Sequence, residues 1–191
     1  VLPYVGGALH LSIAAGIGLG TLARWLGTER VVRAMPNTPA LVGQGMTGLY
    51  TPAATPDADR ELAESALRST GQLLWVDDEA LIDSVTAVSG SGPAYVFFFI
   101  EALEQAGVEM GLTAEQAHQL AVGTFTGASA LAAASNDTPA VLRQRVTSKG
   151  GTTFAAISSM EADRVKDSIV RALHAARLRA QELEQEFGRA D

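Results

Sequence analysis

Between Val146 and Glu161 the chain reads VTSKGGTTFAAISSME: a lysine, two adjacent glycines and two adjacent threonines ahead of a run with helical character. Residues of these types can hold an anion without a dedicated acid or base. Gly150 and Gly151 permit positive φ and let a ligand come close to the main chain. Thr152 or Thr153 can cap a helix beginning near Phe154, whose first amides lack intrahelical partners and point at the loop. The result would be a carboxylate-sized anion site with hydroxyl donors beside it. The same residues also make an ordinary glycine-rich turn with a threonine cap, and the stretch alone leaves both readings open.

Two further segments have the chemistry of a ligand rim. In AMPNTPA, Ala34 to Ala40, two prolines force an extended path behind an apolar run. AAGIG, Ala14 to Gly18, leaves another apolar run in the same way. In open α/β sheets ligands sit outside the carboxyl ends of the strands, which makes both segments candidate rim loops. Taken singly, each is equally an ordinary strand exit.

These segments need a scaffold, and the patterning supplies one. Leu9–Ile17 reads as a buried strand, followed by a helix with Leu19, Leu22, Ala23 and Leu26 on one face, closed by Gly27. RVVRAMPN, GMTGLYTP and QLLWVD read as further strands. Between the last two lies a helix, with Thr55 as expected cap, Pro56 at the first helical position, and Asp57 and Asp59 in the first turn. Strand and helix alternate, so an α/β layer with partly parallel strands is expected.

From Glu79 onward strand patterns stop. PAYVFFFIEALEQAG reads as a helix with Gly107 as its C-cap. Thr113–Gln116 is a capping box opening a long helix to about Ala134. Thr138 and Pro139 open another, and a long amphipathic helix closes the chain. A domain boundary is expected at about residues 77–80. Tyr95–Ile100 is apolar around nearly its whole circumference, and Gly90, Gly92, Gly123 and Gly127 suit close backbone contact. A partner chain covering that helix is one reading. A central place in the protomer's own bundle is the other.

Bulk composition removes several function classes. The 191 residues are 47% hydrophobic and 18% charged, enough for a sizeable core. A net charge of −7 makes nucleic acid and anionic membranes poor partners. There are no cysteines, so disulfides, thiolate catalysis and cysteine metal sites are excluded. His10, His118 and His174 lie far apart without ligand spacing, so no metal site is expected. The apolar run at Tyr95–Ile100 is too short to span a bilayer. No secretory leader pattern opens the sequence, and a soluble cytoplasmic protein is expected.

Five segments occur in one order: SIAAGI, VVRAMPNTPA, GQGMTGL, DEALIDSVTAVSGSGPAYVF and LRQRVTSKGGTTFAAISSME. In this combination the chain resembles the pyrroline-5-carboxylate reductase family, the enzymes of the last step of proline biosynthesis. The resemblance covers essentially the whole chain, and SGSGPAY and VTSKGGTT are its most specific parts. The family opens with a strand, a GxGxxG-type loop and a helix that hold the dinucleotide phosphates, and no such loop is found here. The resemblance is therefore to a chain lacking roughly the first third, and this chain alone is expected not to turn over.

The implied fold class is α/β followed by all-α: residues 1–78 as the remainder of a Rossmann-like dinucleotide-binding domain, and 79–191 as an all-helical dimerisation and substrate domain. The implied activity is reduction of the C=N bond of 1-pyrroline-5-carboxylate to L-proline by hydride from NADPH or NADH. Substrate contacts are implied for Glu79, Gly151, Thr152 and Thr153. The Thr153 hydroxyl would act catalytically near the ring nitrogen. The nicotinamide would lie against Ala14, Ala15, Met35, Pro36 and Asn37. A homodimer or higher homo-oligomer is implied, without metal, nucleic acid or membrane. The alternative is a catalytically inactive dimerisation and substrate-binding module of such an enzyme.

Overall fold

The computed structural model describes residues 6–188; the outermost residues of the two expected domains, 1–5 and 189–191, lie outside them. Four strands form one sheet in chain order: β1 (His10–Ser12), β2 (Val31–Met35), β3 (Gly45–Tyr50) and β4 (Gly71–Trp75). β1 and β2 run parallel, with His10 opposite Val31. β2 and β3 run antiparallel, with Ala34 opposite Leu49. β3 and β4 are again parallel, with Gly45 opposite Gly71.

Each parallel pair is joined by a crossover helix, α1 (Leu19–Leu26) and α2 (Asp57–Leu67) respectively. α1 ends at Gly27 with φ 64°, the left-handed stop that glycine adopts without strain. β2 is buried along its whole length. Val32, Ala34, Leu49, Ala63 and Leu67 form one core cluster between the sheet and α2, and Leu19, Leu22 and Val31 form another under α1. Burying Val31, Val32 and Leu49 contributes about 1.5–3 kcal/mol each.

The helical part comprises α3 (Leu81–Val85) with a π turn at Thr86–Gly90, then α4 (Gly92–Glu109), α5 (Ala114–Ala134), α6 (Pro139–Arg145), α7 (Thr152–Ala162) and α8 (Val165–Gly188). A small mixed sheet followed by helices is the expected class, α/β then all-α. The capping box at Thr113 and Gln116 forms in both directions, and Thr138 caps α6 with Pro139 at its first position.

Several local expectations are corrected. β1 spans only His10–Ser12, rather than Leu9–Ile17: just past it the Ala14 amide donates to the Ser12 hydroxyl at 3.3 Å, and the chain turns at Gly16, φ 73°. Pro56, not Thr55, is the N-cap residue of α2, since the Thr55 hydroxyl pairs with that of Thr51 at 2.8 Å. Gly107 does not end α4. It is buried within it, and a Cβ there would lie 3.0 Å from the Cβ of Ala117 on α5. The glycine serves helix–helix approach, not termination.

The described chain divides into two compact units. One holds the residues up to Pro93 together with those from Arg171 on, and the other holds Ala94–Val170. The division falls at 93/94 and 170/171 rather than at 77–80. α3 and the π turn pack with the sheet although no strand follows them: Val85 sits against Gly48 of β3, and Met35 of β2 lies under Gly90.

Candidate functional site

In the unit of Ala94–Val170, the segment between α6 and α7 makes the anticipated turn. The Gly151 amide donates to the Ser148 carbonyl at 3.0 Å, and the Thr147 hydroxyl donates to the Arg143 carbonyl at 2.6 Å. Gly150 has φ 76°, a region that other residues enter only with strain. Gly151 has φ −81° and ψ 175°, ordinary extended backbone.

Here the sequence reading is corrected. α7 begins at Thr152, not near Phe154, and its N-cap is Gly151, with no side chain capping it. Thr152 and Thr153 are thus the first two helical residues. The first internal bond of α7 runs from the Ala155 amide to the Gly151 carbonyl at 3.1 Å. The amides of Thr152, Thr153 and Phe154 therefore have no intrahelical partner, and they stand at the positive end of the helix dipole. Thr153 is half-buried and its hydroxyl has no partner among the described residues; Thr152 is exposed.

The surrounding charge favours an anion. Arg143 is engaged by Glu161 at 3.2 Å, and Arg145 by Asp137. Lys149 has no ion-pair partner among the described residues. It lines an open groove of about 450 Å³ with Val141, Arg143, Thr147, Phe154 and Ile157.

The other unit holds the rim. β1 and β2 are parallel, so the segments leaving their carboxyl ends lie at the same edge of the sheet. Ala14 and Ala15 follow β1, and Met35, Pro36 and Asn37 end and follow β2. Ala14 is half-buried and Ala15 exposed, whereas Met35 is buried. Gly16, φ 73°, leaves little room for a side chain: a Cβ would lie 3.0 Å from the Cβ of Leu183 on α8.

Glu79 belongs to this same unit. Its Oε1 accepts from Arg33 Nη1 at 2.6 Å and from the Leu19 amide at 2.6 Å. It thereby supplies the side-chain cap that Gly18 cannot give α1. Arg33 is 3% exposed and also reaches Glu184 of α8 at 3.4 Å. Burial pushes the Glu184 carboxyl above its ordinary value, outweighing the opposing attraction of Arg33. Burial likewise raises the carboxyl of Asp83, which Arg33 and Arg177 pull down less strongly.

Arg33 has a role here that sequence reading did not assign to it. An arginine inside the run VVRAM is itself a signal: a buried guanidinium requires a carboxylate. The partner, 46 residues on, is not identifiable from pattern. Among the described residues no group of three histidine, aspartate or glutamate side chains is disposed to hold a metal. No described helix is long and apolar enough to cross a membrane.

Residues 79–183 match the family model described as pyrroline-5-carboxylate reductase dimerisation. The chain is 50% identical over 181 residues to the pyrroline-5-carboxylate reductase of Pseudomonas aeruginosa, covering 94% of this chain and 66% of that protein. It is similar to the solved structure of a pyrroline-5-carboxylate reductase from Coxiella burnetii, with TM-score 0.89 and 40% identity over 95% of this chain and 68% of that one. It is also similar to the Plasmodium falciparum pyrroline carboxylate reductase solved with NADP bound, with TM-score 0.87 and 32% identity over 95% of this chain and 73% of that one. The chain spans about two thirds of the length of the curated relatives it matches.

Proposed function

The chain belongs to the pyrroline-5-carboxylate reductase family, and from that premise we propose that it serves the reduction of 1-pyrroline-5-carboxylate to L-proline. The observation that carries the proposal is the start of α7: three amides and a half-buried threonine without hydrogen-bond partners among the described residues, beside a left-handed Gly150. A cyclic imino acid has one carboxylate and one ring nitrogen to be recognised, and this segment offers amide donors for the first and a hydroxyl, able to donate or to accept, for the second.

In this reading the amides around Gly151, Thr152 and Thr153 take the substrate carboxylate, with Lys149 adding charge from the loop. The Thr153 hydroxyl bonds the ring nitrogen. An imine accepts hydride far better when protonated, so fixing the nitrogen and its charge is the main catalytic demand. Glu79 is assigned a substrate-side role by the family resemblance. Its Oε1 is held by Arg33 and the Leu19 amide.

The rim fits a nicotinamide. Ala14 and Ala15 present minimal side chains at the carboxyl edge of two parallel strands, and Met35, Pro36 and Asn37 form the neighbouring edge. NADPH or NADH, when bound, supplies the hydride. The protein's own contribution is to hold the rim segments still, through Glu79 on α1 and the hydrogen bonds of Asn37.

The helical unit is proposed to be a dimerisation surface. Phe99 packs on Phe125 with ring centroids 6.5 Å apart, while Phe97 and Phe98 are 58% and 69% exposed. The protomer's own helices leave those two rings uncovered, so a second copy is the cover we assign to them.

The test is cofactor oxidation with 1-pyrroline-5-carboxylate, followed by nicotinamide absorbance. It uses the longest form of the protein that carries this sequence. Reduction that depends on both reactants supports the proposal. A folded protein that binds proline calorimetrically but never oxidises cofactor would instead support a binding module.

A further inference from the structure

Asn37 lies in the rim loop, but its side chain is already fully engaged. Nδ2 donates to the Ser89 carbonyl at 3.3 Å and approaches the Ser89 hydroxyl at 3.2 Å. Oδ1 accepts from the Met46 amide at 2.9 Å. Ser89 sits in the π turn Thr86–Gly90, which closes through the Ser91 amide on the Thr86 carbonyl at 2.8 Å. The position four residues after Ser89 is Pro93, which has no N–H, so the Ser89 carbonyl is left open to an outside donor. Asn37 is that donor. On the other side of the same loop, Met35 packs against Gly90, where a Cβ would be 3.5 Å from the methionine sulfur.

We propose that Asn37 is a positioning residue, whose side chain clamps the rim loop Met35–Asn37 between the Ser89 π turn and the Met46 amide so that hydride transfer meets a fixed geometry. This rests on the reading of that rim as the nicotinamide side of the site. The two ends of the clamp are Ser89 and the Met46 amide. Its work is done through the backbone of the loop, which Asn37 ties to two elements at once: the start of β3 and the turn before α4. Misplacement of reacting groups by about 1 Å costs on the order of 100-fold in rate. Loss of the clamp should therefore appear in kcat and leave cofactor affinity nearly intact.

Asn37→Asp tests this with little change of shape. The carboxylate still accepts from the Met46 amide, but it opposes the Ser89 carbonyl where an NH2 donated. Asn37→Asp should lower kcat by about 10- to 100-fold with KM for NADPH within about threefold of wild type. The deuterium isotope effect on kcat should rise as hydride transfer becomes the slow step. Ser89→Ala removes only the hydroxyl end of the clamp. It should give a smaller loss of the same kind, and the double variant should be no worse than Asn37→Asp alone, the non-additivity of a shared contact.

A raised KM for NADPH at unchanged kcat would mean that Asn37 touches the cofactor directly, and would overturn the proposal. Additive losses in the double variant would do the same. Should Asn37→Asp fail to fold, Ser89→Ala decides alone: kcat equal to wild type within error overturns the clamp. A wild-type protein without NADPH-dependent reduction overturns this inference together with the functional reading, whereas an active wild type with indifferent variants removes the inference only.

Discussion

Thr153→Ala separates a catalytic hydroxyl from a structural one, and the structure sets the size of both effects. Thr153 is the second residue of α7, the cap is the Gly151 backbone, and no side-chain bond holds the helix start. A capping threonine would lose about 1 kcal/mol on replacement by alanine, but that contribution is absent here. Alanine is the better helix former by a few tenths of a kcal/mol. The expected change in Tm is therefore within about 2 °C, in either direction. The kinetic effect should be larger. One hydrogen bond to a neutral nitrogen contributes about 0.5–1.5 kcal/mol, and to a charged one up to about 3. At 25 °C that spans a loss of about 2-fold to about 150-fold in kcat/KM. If the bond tightens as hydride arrives, part of the loss falls in kcat. Thr153→Ser keeps the hydroxyl and should recover most of it. Melting curves and steady-state kinetics on the same samples check the argument. A variant that melts several degrees lower yet keeps wild-type kcat/KM would refute it.

Three further outcomes are expected. Phe98 is 69% exposed in the protomer; covering it by a second copy removes roughly 140 Å² of apolar surface, or about 3 kcal/mol per protomer. Phe98→Glu should accordingly sediment as a monomer at micromolar concentration where wild type sediments as a dimer. Backbone strain at the anion loop falls on Gly150, φ 76°, and not on Gly151, φ −81°. Gly150→Ala should cost about 1–2 kcal/mol and weaken calorimetric binding of proline, while Gly151→Ala carries no φ strain and must instead displace the Ser148 hydroxyl, 2.7 Å from the new Cβ, and ease its carbonyl, at 3.2 Å. Asp83 has its carboxyl raised by burial above the ordinary 3.8, so its stabilising contribution is complete below that value and is lost as pH rises through the folded-state value. Asp83→Asn should melt above wild type at neutral pH, with the difference closing towards about pH 4; a constant difference across that range would contradict the assignment.

What the sequence determined on its own is what short-range chemistry controls. Gly27 ends α1, the Thr113–Gln116 box opens α5, and Thr138 with Pro139 opens α6, because each signal acts on amides within three residues of itself. The strand runs β2, β3 and β4 were legible for the same reason, as period and composition decide them locally. The anion loop was legible as a place rather than as a geometry. Glycine and threonine types marked it, but which residue capped α7 depended on how the turn closed on Ser148.

Tertiary structure decided whatever joins distant residues. Glu79 caps a helix 60 positions away, and Arg33 in the core dictates where that carboxylate turns. Asn37 reaches the Ser89 carbonyl 52 residues on, which is left open because Pro93, four residues further, has no N–H. Gly107 has the composition of a stop, yet it lies inside a continuing helix because Ala117 of α5 packs against it. The units divide at 93/94 and 170/171 for the same reason. Composition changes where strands stop, near residue 78, but a compact unit ends where packing ends, and α3 with its π turn stays with the sheet through Val85 on Gly48 and Gly90 on Met35. Packing free energy belongs to pairs of surfaces that meet only in the folded chain, and no local pattern carries it.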